Sequence, residues 1–429
     1  MSSNGKKKEE QKPFRLQEHV EWIAVAFVLA LTVRCFVVEA YQIPTGSMAP
    51  ALYGKTAEIA CPECGTKYTV GVGDSPYFSF TCPACGREGG GETARVKVRG
   101  GDRILVSKDL YLFSKPRRWE VFVFKSPEKD RQNMNFVKRI IGLPGEHIEL
   151  RDGQVFVDGV MIAKGDRVQN VLWQEAYKWD SAKAAANWEP AGDWSVVPEG
   201  LLLGADSDAW QTVKYNKLIT DFYPYDGRPG DNYVSDLYAS GHLRMDSTAC
   251  AFTAGVWADT RSVKANFTTS GSMLNVDLRI NEQVVGEKQV ALATDRSFDF
   301  AVFTVDGRSE VDVNGEEAIR YQETVTAEDT PLFTKSNGVF FQGQGGKLLV
   351  SDPEIKRDVY YRTAVAPGRP DSMAGIAYSI DIPQGNYLAL GDNSPVSSDS
   401  RVWGPVPQEN ILGKAFFLFW PPTRIKPVI

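Results

Sequence analysis

The sequence predicts a mainly β protein that has a single N-terminal transmembrane helix, a β-rich core and two insertions in that core. Three observations predict this organisation. One apolar segment near the N-terminus has the length of a membrane span, two Cys-x-x-Cys pairs lie close together, and short segments after residue 240 alternate apolar and polar residues. These features predict a zinc ribbon followed by a β-sandwich.

The length and the net charge of the chain limit the functions that it can have. The chain has 429 residues, enough for two or three folding units that each bury a core. Its formal net charge of -6 argues against the basic face that nucleic-acid binding requires. The six cysteines are too few for a disulfide-rich scaffold. We therefore expect no nucleic acid among its partners.

The N-terminal region predicts a membrane anchor. Residues 1–18 are polar and basic and are predicted to be a cytoplasmic tail, and residues 19–41 a transmembrane helix that is apolar from Trp22 to Val33 and is interrupted by Arg34. A cleaved secretory signal is the alternative, because the apolar core is short and follows basic residues. No small-x-small cleavage site follows this core. We therefore expect the remaining chain to lie outside the cytoplasm, close to the membrane surface.

Residues 56–95 form the first predicted insertion. It contains two Cys-x-x-Cys-Gly repeats, whose cysteines are Cys61, Cys64, Cys82 and Cys85. Each repeat aims two thiolates at one point, and four sulfur ligands complete a tetrahedral, structural zinc site with no open position. Two disulfides are the alternative, because the compartment is expected to be oxidising. The glycine run at residues 89–91 is predicted to be a linker that closes the unit.

Ser47 and Lys138 are the candidate nucleophile and base. Ser47 follows the apolar segment, and Lys138 lies in an apolar run predicted to be a strand. Histidine is the usual base for a serine, but His147 and His242 show no recognisable constellation. A lysine buried among apolar groups can serve, because desolvation lowers its pKa from ~10.4. The alternative is a lysine that extends from a strand edge into solvent.

Near the C-terminus, an apolar strand leads into a polar loop between Tyr387 and Gly404. This loop is dense in Gly, Asp, Asn and Ser, which is typical of an ordinary surface connection. Asp399 and Arg401 can pair within it and hold it rigid.

Three blocks together resemble the ordered signature blocks of bacterial type I signal peptidase, also called leader peptidase. The blocks are Ile43–Leu52, Val137–Gly145 and Gly391–Gly404, and they follow an anchor-like segment that contains Arg34 and Glu39. The resemblance covers about residues 18–55, 98–160 and 380–422. Two departures, Ala51 and the Ser394–Val396 segment, affect loop shape more than chemistry.

The resemblance implies a Ser/Lys dyad with Ser47 as nucleophile and Lys138 as general base. It implies that the Thr45 hydroxyl and the Ser47 N–H form the oxyanion hole. It also implies a set of residues that support the site: Ser397, Asp399, Arg401 and Arg139. Shallow pockets for small substrate residues at −1 and −3 are implied to be lined by Tyr41, Ile43, Leu52 and Val137. The core is then expected to comprise residues 42–55, 96–164 and 376–429.

Residues 165–375 form the second predicted insertion. A helical patch is expected at about residues 180–186, and alternating apolar residues after residue 240 predict strands separated by turns at Asp306-Gly307 and Asn314-Gly315. The run weakly resembles concanavalin/laminin-G-like jelly rolls. Such modules often bind sugars or proteins, but the fold alone does not establish binding. A solvent-exposed packing module is the alternative.

The expected activity is removal of signal peptides from exported preproteins by an anchored endopeptidase. The expected location is the plasma (inner) membrane, with one span and with the catalytic domain on the outer or periplasmic face. Expected partners are signal peptides, membrane lipid and the secretion translocon, with structural zinc as the only metal and no cofactor for catalysis. Two alternatives are a catalytically idle, anchored glycan- or protein-binding module and a self-cleaving regulatory Ser/Lys protease.

Overall fold

The computed structural model describes residues 20–28, 37–128, 130, 134–204, 209–247, 250–363 and 377–429. Residues 20–28 are helical. Among the described residues, no helix has both the length and the apolar character needed to cross a membrane. Arg34 and much of the predicted span lie outside the described residues.

The described chain is dominated by strands. In the first part they are β1 (Val38–Gln42), β2 (Thr56–Ala60), β3 (Lys67–Gly71), β4 (Tyr77–Thr81), β5 (Glu88–Glu92), β6 (Val98–Arg99), β7 (Arg103–Ser107), β8 (Val121–Lys125), β9 (Asn135–Gly142), β10 (His147–Arg151), β11 (Gln154–Val157) and β12 (Val160–Met161).

The middle part contains β13 (Gln174–Lys178), β14 (Trp188–Pro190), β15 (Trp194–Val197), β16 (Gly200–Leu203), β17 (Gln211–Tyr215), β18 (Leu237–Met245), β19 (Ala251–Ala258), β20 (Arg261–Ser270), β21 (Met273–Ile280), β22 (Gln283–Ala291), β23 (Ser297–Val305), β24 (Arg308–Val313), β25 (Glu316–Gln322), β26 (Asn337–Gln344) and β27 (Leu348–Arg357). The last part contains β28 (Tyr378–Asp381), β29 (Asn386–Leu390), β30 (Val406–Pro407), β31 (Ile411–Trp420) and β32 (Lys426–Pro427).

Helices are short and connect the strands. The α-helical segments with described ends are α1 (Leu110–Phe113), α2 (Asp166–Leu172) and α3 (Ser400–Trp403). The 3-10 turns are Thr93–Arg95, Ala184–Ala186, Pro224–Asp226, Ser394–Val396, Gln408–Asn410 and Pro422–Arg424.

The candidate catalytic residues lie on or beside one antiparallel sheet. Its strand order is β1-β7-β31-β8-β9-β29-β30, and β32 pairs with β31. β9 is an inner strand, which places Lys138 opposite Phe122 of β8 and Arg139 opposite Leu390 of β29. The residues of β9 from Lys138 onward are buried, because the strand is paired on both sides and covered on both faces. A smaller sheet, β12-β11-β10-β28, packs beside this one.

Two small sheets surround the paired cysteines. β3-β2-β6 forms one of them, and the hairpin β4-β5 forms the other. A small apolar cluster lies within this region and includes Ala57, Val70, Val72 and Phe80.

The middle part of the chain folds as two facing antiparallel sheets. One has the order β15-β16-β27-β18-β23-β24-β25 with β13 beside β27, and the other has the order β14-β17-β26-β19-β20-β21-β22. Alternate residues of each strand point between the sheets, as in β21, where every second residue is buried. The aromatic rings of Phe252, Phe267, Phe300 and Phe341 meet in this core.

Several local expectations are confirmed and three need correction. The alternating segments form β20, β21, β23 and β24, and both Asp306 and Asn314 have positive φ in their turns. The end of the predicted span is wrong, because residues 38–41 belong to β1 and pair with β7. The helical patch is reduced to the 3-10 turn Ala184–Ala186.

The third correction concerns the glycine run. Residues 89–91 lie in β5 and do not form a linker. The rings of Phe80 and Phe78 lie over Gly89 and Gly91, where an added Cβ would stand 2.6 Å and 2.7 Å from the respective rings. Glycine therefore makes room for two aromatic rings here.

Candidate active site

Ser47 lies in a tight turn that follows β1. The Ala49 N–H donates to the Gly46 carbonyl (3.0 Å), and the Leu52 N–H donates to the Met48 carbonyl (2.8 Å). Met48 and Leu52 are each 1% exposed and fix the turn to the sheet through apolar packing. Ser47 itself is half-buried, so its hydroxyl is held at the surface of a rigid turn.

Lys138 extends from β9 to this hydroxyl. Its Nζ lies 2.8 Å from the Ser47 Oγ and 3.0 Å from the Ser397 Oγ. The side chain is buried, and its desolvation lowers the pKa of Lys138 to about 8. The charge of Asp399 raises this pKa and that of Arg401 lowers it. The structure therefore brings together the predicted nucleophile, the predicted base and the predicted support residue Ser397 from distant parts of the chain.

Asp399 and Arg401 form the predicted ion pair. The Arg401 Nε donates to Asp399 Oδ1 (2.8 Å), and its Nη2 donates to Asp399 Oδ2 (2.7 Å), with both side chains buried. Desolvation opposes ionisation of Asp399, but Arg401 outweighs it and lowers the pKa of Asp399. Arg401 also donates to the Ser394 Oγ (2.7 Å) and to the Arg362 carbonyl (2.9 Å). The pair therefore fixes the loop that carries Ser397.

A second buried ion pair joins β9 to the same loop. The Arg139 Nε and Nη2 each donate to one carboxylate oxygen of Asp392 at 2.7 Å. Its Nη1 donates to the carbonyls of Trp119 (2.7 Å) and Ile429 (2.8 Å). Sequence reasoning named Arg139 but missed Asp392. A buried arginine next to Lys138 requires an acid, and Asp392 and Asp399 both lie in the loop that resembles the family block.

Gly391 and Asn393 were also missed. An added Cβ at Gly391 would lie 2.2 Å from the Ser397 Oγ and 2.4 Å from the Ser47 carbonyl oxygen, so a side chain there would separate the loop from the turn. The Asn393 N–H donates to the Ser47 carbonyl (3.0 Å), and its Nδ2 donates to the Gly46 carbonyl (3.2 Å). These two residues dock the loop onto the turn.

The other predicted site residues lie around Ser47. Thr45 is exposed, two residues before Ser47 on the same turn. The four predicted pocket residues belong to one apolar cluster with Met48. Ile43 and Leu52 are buried in this cluster, and Tyr41 and Val137 are half-buried against it. The described structure therefore provides an apolar surface beside Ser47.

The four paired cysteines converge at a separate place. All four Sγ atoms lie within 4.8 Å of one another, with 3.7 Å between those of Cys61 and Cys85 and 3.6 Å between those of Cys64 and Cys82. A disulfide requires about 2.05 Å, so these sulfurs are not bonded to each other. For tetrahedral zinc with Zn–S near 2.3 Å, the sulfurs would stand about 3.8 Å apart. The donor set fits a zinc ion.

The sequence matches the model of a known protein family. The sequence profile of the family described as "Signal peptidase, peptidase S26" matches residues 86–211 and 272–420, more than half of the chain. The chain belongs to this signal peptidase family. Membership makes it a serine peptidase that acts on signal peptides. The matched ranges include Lys138 and the loop 391–401 but begin after Ser47.

Several proteins with signal peptidase or processing peptidase names are similar in sequence. Signal peptidase I of Leptolyngbya laminosa is 27% identical over 209 residues, which cover 48% of this chain and 76% of that protein. The probable signal peptidase I-2 of Synechocystis is 25% identical over 217 residues, or 50% of this chain and 74% of that protein. The probable thylakoidal processing peptidase 2 of Arabidopsis thaliana is 33% identical over 97 residues, or 22% of this chain and 23% of that protein.

Solved structures give low overall similarity. The carbohydrate-binding module CBM66 from Bacillus subtilis is 12% identical, with 39% of this chain and 95% of that chain covered and a TM-score of 0.28. The Crh5 transglycosylase is 12% identical, with 43% of this chain and 85% of that chain covered and a TM-score of 0.32.

Proposed function

We propose that this chain is a membrane-anchored serine endopeptidase that removes N-terminal signal peptides from exported preproteins, after small residues at −1 and −3. Ser47 is the nucleophile and Lys138 is the general base. One observation carries this proposal: the buried Lys138 Nζ lies 2.8 Å from the Ser47 Oγ. A serine hydroxyl and a desolvated amine at hydrogen-bond distance are the two groups that acyl transfer requires.

Lys138 acts as a base in its neutral form. Because the pKa of Lys138 is lowered to about 8, a substantial fraction of the amine is neutral under mildly alkaline conditions. The amine lone pair takes the Ser47 proton as Oγ attacks the scissile carbonyl, and the ammonium then protonates the leaving amine. The Ser397 Oγ, 3.0 Å from Nζ, holds the amine in this direction. A water molecule, activated in the same way, releases the acyl group.

The transition-state oxyanion would be bound at the turn. The Ser47 N–H and the Thr45 hydroxyl have no hydrogen-bond partner within the described residues. Both groups are therefore free to donate to an oxyanion that forms beside the Ser47 Oγ, and such donors stabilise the developing charge. The apolar cluster of Tyr41, Ile43, Leu52 and Val137 is the proposed surface for the −1 and −3 side chains.

The two arginine–aspartate ion pairs help to keep the pKa of Lys138 low. Asp392 and Asp399 are the carboxylates whose charges raise the pKa of Lys138. Each is bound through both oxygens by an arginine, Arg139 or Arg401, so neither approaches Lys138 as a free anion. We propose that Arg139, Asp399, Arg401 and Ser397 act as site support.

The proposed membrane anchor comes directly before the catalytic sheet. Residues 19–37 carry the apolar segment, and β1 begins at Val38. Ser47 would then lie next to the membrane surface, where the cleavage site of a preprotein emerges. This order of segments along the sequence supports the proposed location in the plasma (inner) membrane, with lipid and the secretion translocon as further proposed partners. The division into a core and two insertions, at residues 56–95 and 165–375, is part of the same proposal.

Zinc is the proposed metal of the first insertion. Cys61, Cys64, Cys82 and Cys85 would occupy all four positions, so the ion would stabilise the fold and take no part in catalysis. We expect one zinc per chain by elemental analysis. Cys64→Ser should lose this zinc and make the remaining ribbon thiols reactive, because apo ribbons unfold locally. Cys250→Ser, which alters a distant buried thiol, is the matched control and should keep the zinc. A wild-type protein without bound metal would overturn this assignment.

The test of the activity uses a purified precursor that carries alanine at −1 and −3. Ser47→Ala should reduce its cleavage by at least about a thousandfold, because the other hydroxyl that contacts Lys138, that of Ser397, is buried. Ser195→Ala, an exposed serine in β15, should retain wild-type activity. Thermal unfolding at the wild-type temperature would show that Ser47→Ala is folded. Full activity of Ser47→Ala would refute the proposed nucleophile.

A further inference from the structure

The second insertion reaches the turn that carries Ser47. Its 3-10 turn Pro224–Asp226 packs against the turn, where an added Cβ at Gly46 would lie 2.0 Å from Tyr225 Cε1. The Tyr225 ring also stacks on Tyr53, with 5.4 Å between ring centroids. The Tyr225 hydroxyl donates to the Lys55 carbonyl (3.4 Å). The turn that carries Ser47 therefore packs against a segment of the second insertion, outside the blocks that resemble the family.

Asp226, in the same 3-10 turn, contacts the loop 391–401. Its Oδ1 accepts a hydrogen bond from the Asn393 Nδ2 (2.5 Å). The same Nδ2 donates to the Gly46 carbonyl, and the Asn393 N–H donates to the Ser47 carbonyl. An ionised carboxylate can only accept, so Asp226 fixes the Asn393 amide with its NH2 group towards the turn.

The surroundings of Asp226 keep it suited to this role. Burial raises the pKa of Asp226 to about 6, against the lowering effect of the Asn393 hydrogen bond and of Arg228, Arg357 and Arg362. The carboxylate is therefore ionised in the mildly alkaline range in which Lys138 is neutral. A hydrogen bond from an amide to a buried carboxylate is also stronger than a neutral one.

We infer that Asp226 is a positioning residue for the reaction, which holds Ser47 in place through Asn393. The inference rests on the proposed function, because it assumes that Ser47 is the nucleophile. It means that the second insertion contributes a residue that supports the active site, whether or not the sandwich also binds a ligand. The hydrogen bond from Asn393 links Asp226 to the turn, so its effect on Ser47 should be transmitted through Asn393.

A double-mutant cycle tests this connection. We expect Asp226→Ala to lower kcat for the precursor roughly tenfold with KM unchanged, because the turn loses one orienting hydrogen bond. Asn393→Ala should lower kcat at least as much. The double variant should be no slower than Asn393→Ala, since both changes break the same connection. Asp226→Asn should recover most of the rate, because its amide oxygen still accepts from Asn393.

Asp152→Ala is the matched control. Asp152 is a buried acid that accepts two hydrogen bonds from Thr334 in the second insertion, and it makes no contact with the loop 391–401. We expect it to lower the unfolding temperature without changing kcat. Wild-type kcat in Asp226→Ala, equal losses of kcat in Asp226→Ala and Asp152→Ala, or multiplied effects in the double variant would each overturn the inference.

A second pair of variants tests the contact if Asp226→Ala does not fold. Gly46→Ala should lower kcat roughly a hundredfold, because its Cβ would overlap the Tyr225 ring. Tyr225→Ala added to Gly46→Ala should recover at least about tenfold by removing that ring. Failure to recover would contradict a contact that positions the turn. The Ser47→Ala result separates the two proposals: an inactive Ser47→Ala with unaffected Asp226 and Gly46 variants refutes only this inference.

Discussion

Two buried lysines in this molecule differ in how readily each loses its proton. Lys138 and Lys164 are 2% and 5% exposed, so both are removed from water. Lys138 contacts two hydroxyl oxygens, those of Ser47 and Ser397. Lys164 contacts two carboxylates, Asp306 Oδ1 at 2.6 Å and Asp358 Oδ2 at 2.8 Å.

The comparison shows that burial alone does not determine the charge of a lysine. Desolvation lowers the pKa of both side chains, but at Lys164 the two carboxylates outweigh it and raise the pKa above its usual range. At Lys138 the nearby carboxylates are bound by arginines, so desolvation dominates and the pKa falls to about 8. The first lysine can exchange a proton during a reaction, whereas the second joins the core to the second insertion.

The largest expected difference concerns replacement by arginine, which keeps the charge but does not lose its proton. Lys138→Arg should reduce precursor cleavage by about a thousandfold, because no base remains. Lys164→Arg should retain most of the activity, since it can still pair with Asp306 and Asp358. Steady-state cleavage rates of the two variants measure this difference. Comparable activities would show that Lys138 does not need to lose its proton.

Replacement by methionine removes the charge of each lysine. It should lower the stability of the protein more at Lys164 than at Lys138. Lys164→Met would leave Asp236, Asp306 and Asp358 buried without a cation, which should lower the free energy of unfolding by about 3–5 kcal/mol. Lys138→Met removes an amine whose charged form burial already disfavours and which, among the described residues, forms no ion pair with a carboxylate, so it should be far less destabilising.

The loss in Lys164→Met should also depend on pH. Burial raises the pKa of Asp236 to about 8 and also raises that of Asp306, so the folded state binds more protons than the unfolded state. Lys164 lowers both of these pKa values, so its removal raises them further. The stability of the variant should therefore fall more steeply than that of the wild type as the pH rises from about 4 towards 8. Denaturant unfolding of the variant at pH 5 and pH 8 measures the effect. A loss that is equal at the two values would contradict the assigned carboxylate cluster.

The smallest predicted effect is the pH dependence of the rate. Because the pKa of Lys138 is lowered and the neutral amine is required, kcat/KM should rise about tenfold per pH unit below a midpoint of about 8 and then level off. A peptide substrate assayed from pH 6 to pH 10 gives this profile. Lys164→Arg should leave the midpoint unchanged. A midpoint near that of free lysine would show that desolvation does not dominate at Lys138.

The candidate site could be predicted because each part of it has a local signature. Ser47, Lys138, Ser397, Asp399 and Arg401 lie in short motifs, and the structure places them together. The sandwich strands were predictable for a similar reason, because alternation of apolar residues is a local property.

The parts that were missed depend on distant contacts. Asp392 becomes the partner of Arg139 only when β9 and β29 pair, and the local sequence does not distinguish it from Asp399. Asp226 lies in an irregular segment with no strand or helix pattern, so only the folded chain shows that it reaches Asn393. The glycine run has the composition of a linker, and its place beneath Phe78 and Phe80 follows from the pairing of β4 with β5.

The loop at Gly391 and the turn on which it docks are synthesised at different times. During synthesis, Ser47 and Lys138 emerge long before Ser397 and the arginine-bound loop that positions the amine. A growing chain that has not yet exposed residue 391 therefore lacks the contacts that hold Ser47 and orient Lys138. The peptidase is expected to remain inactive towards neighbouring nascent chains until the loop 391–401 has been synthesised and has docked.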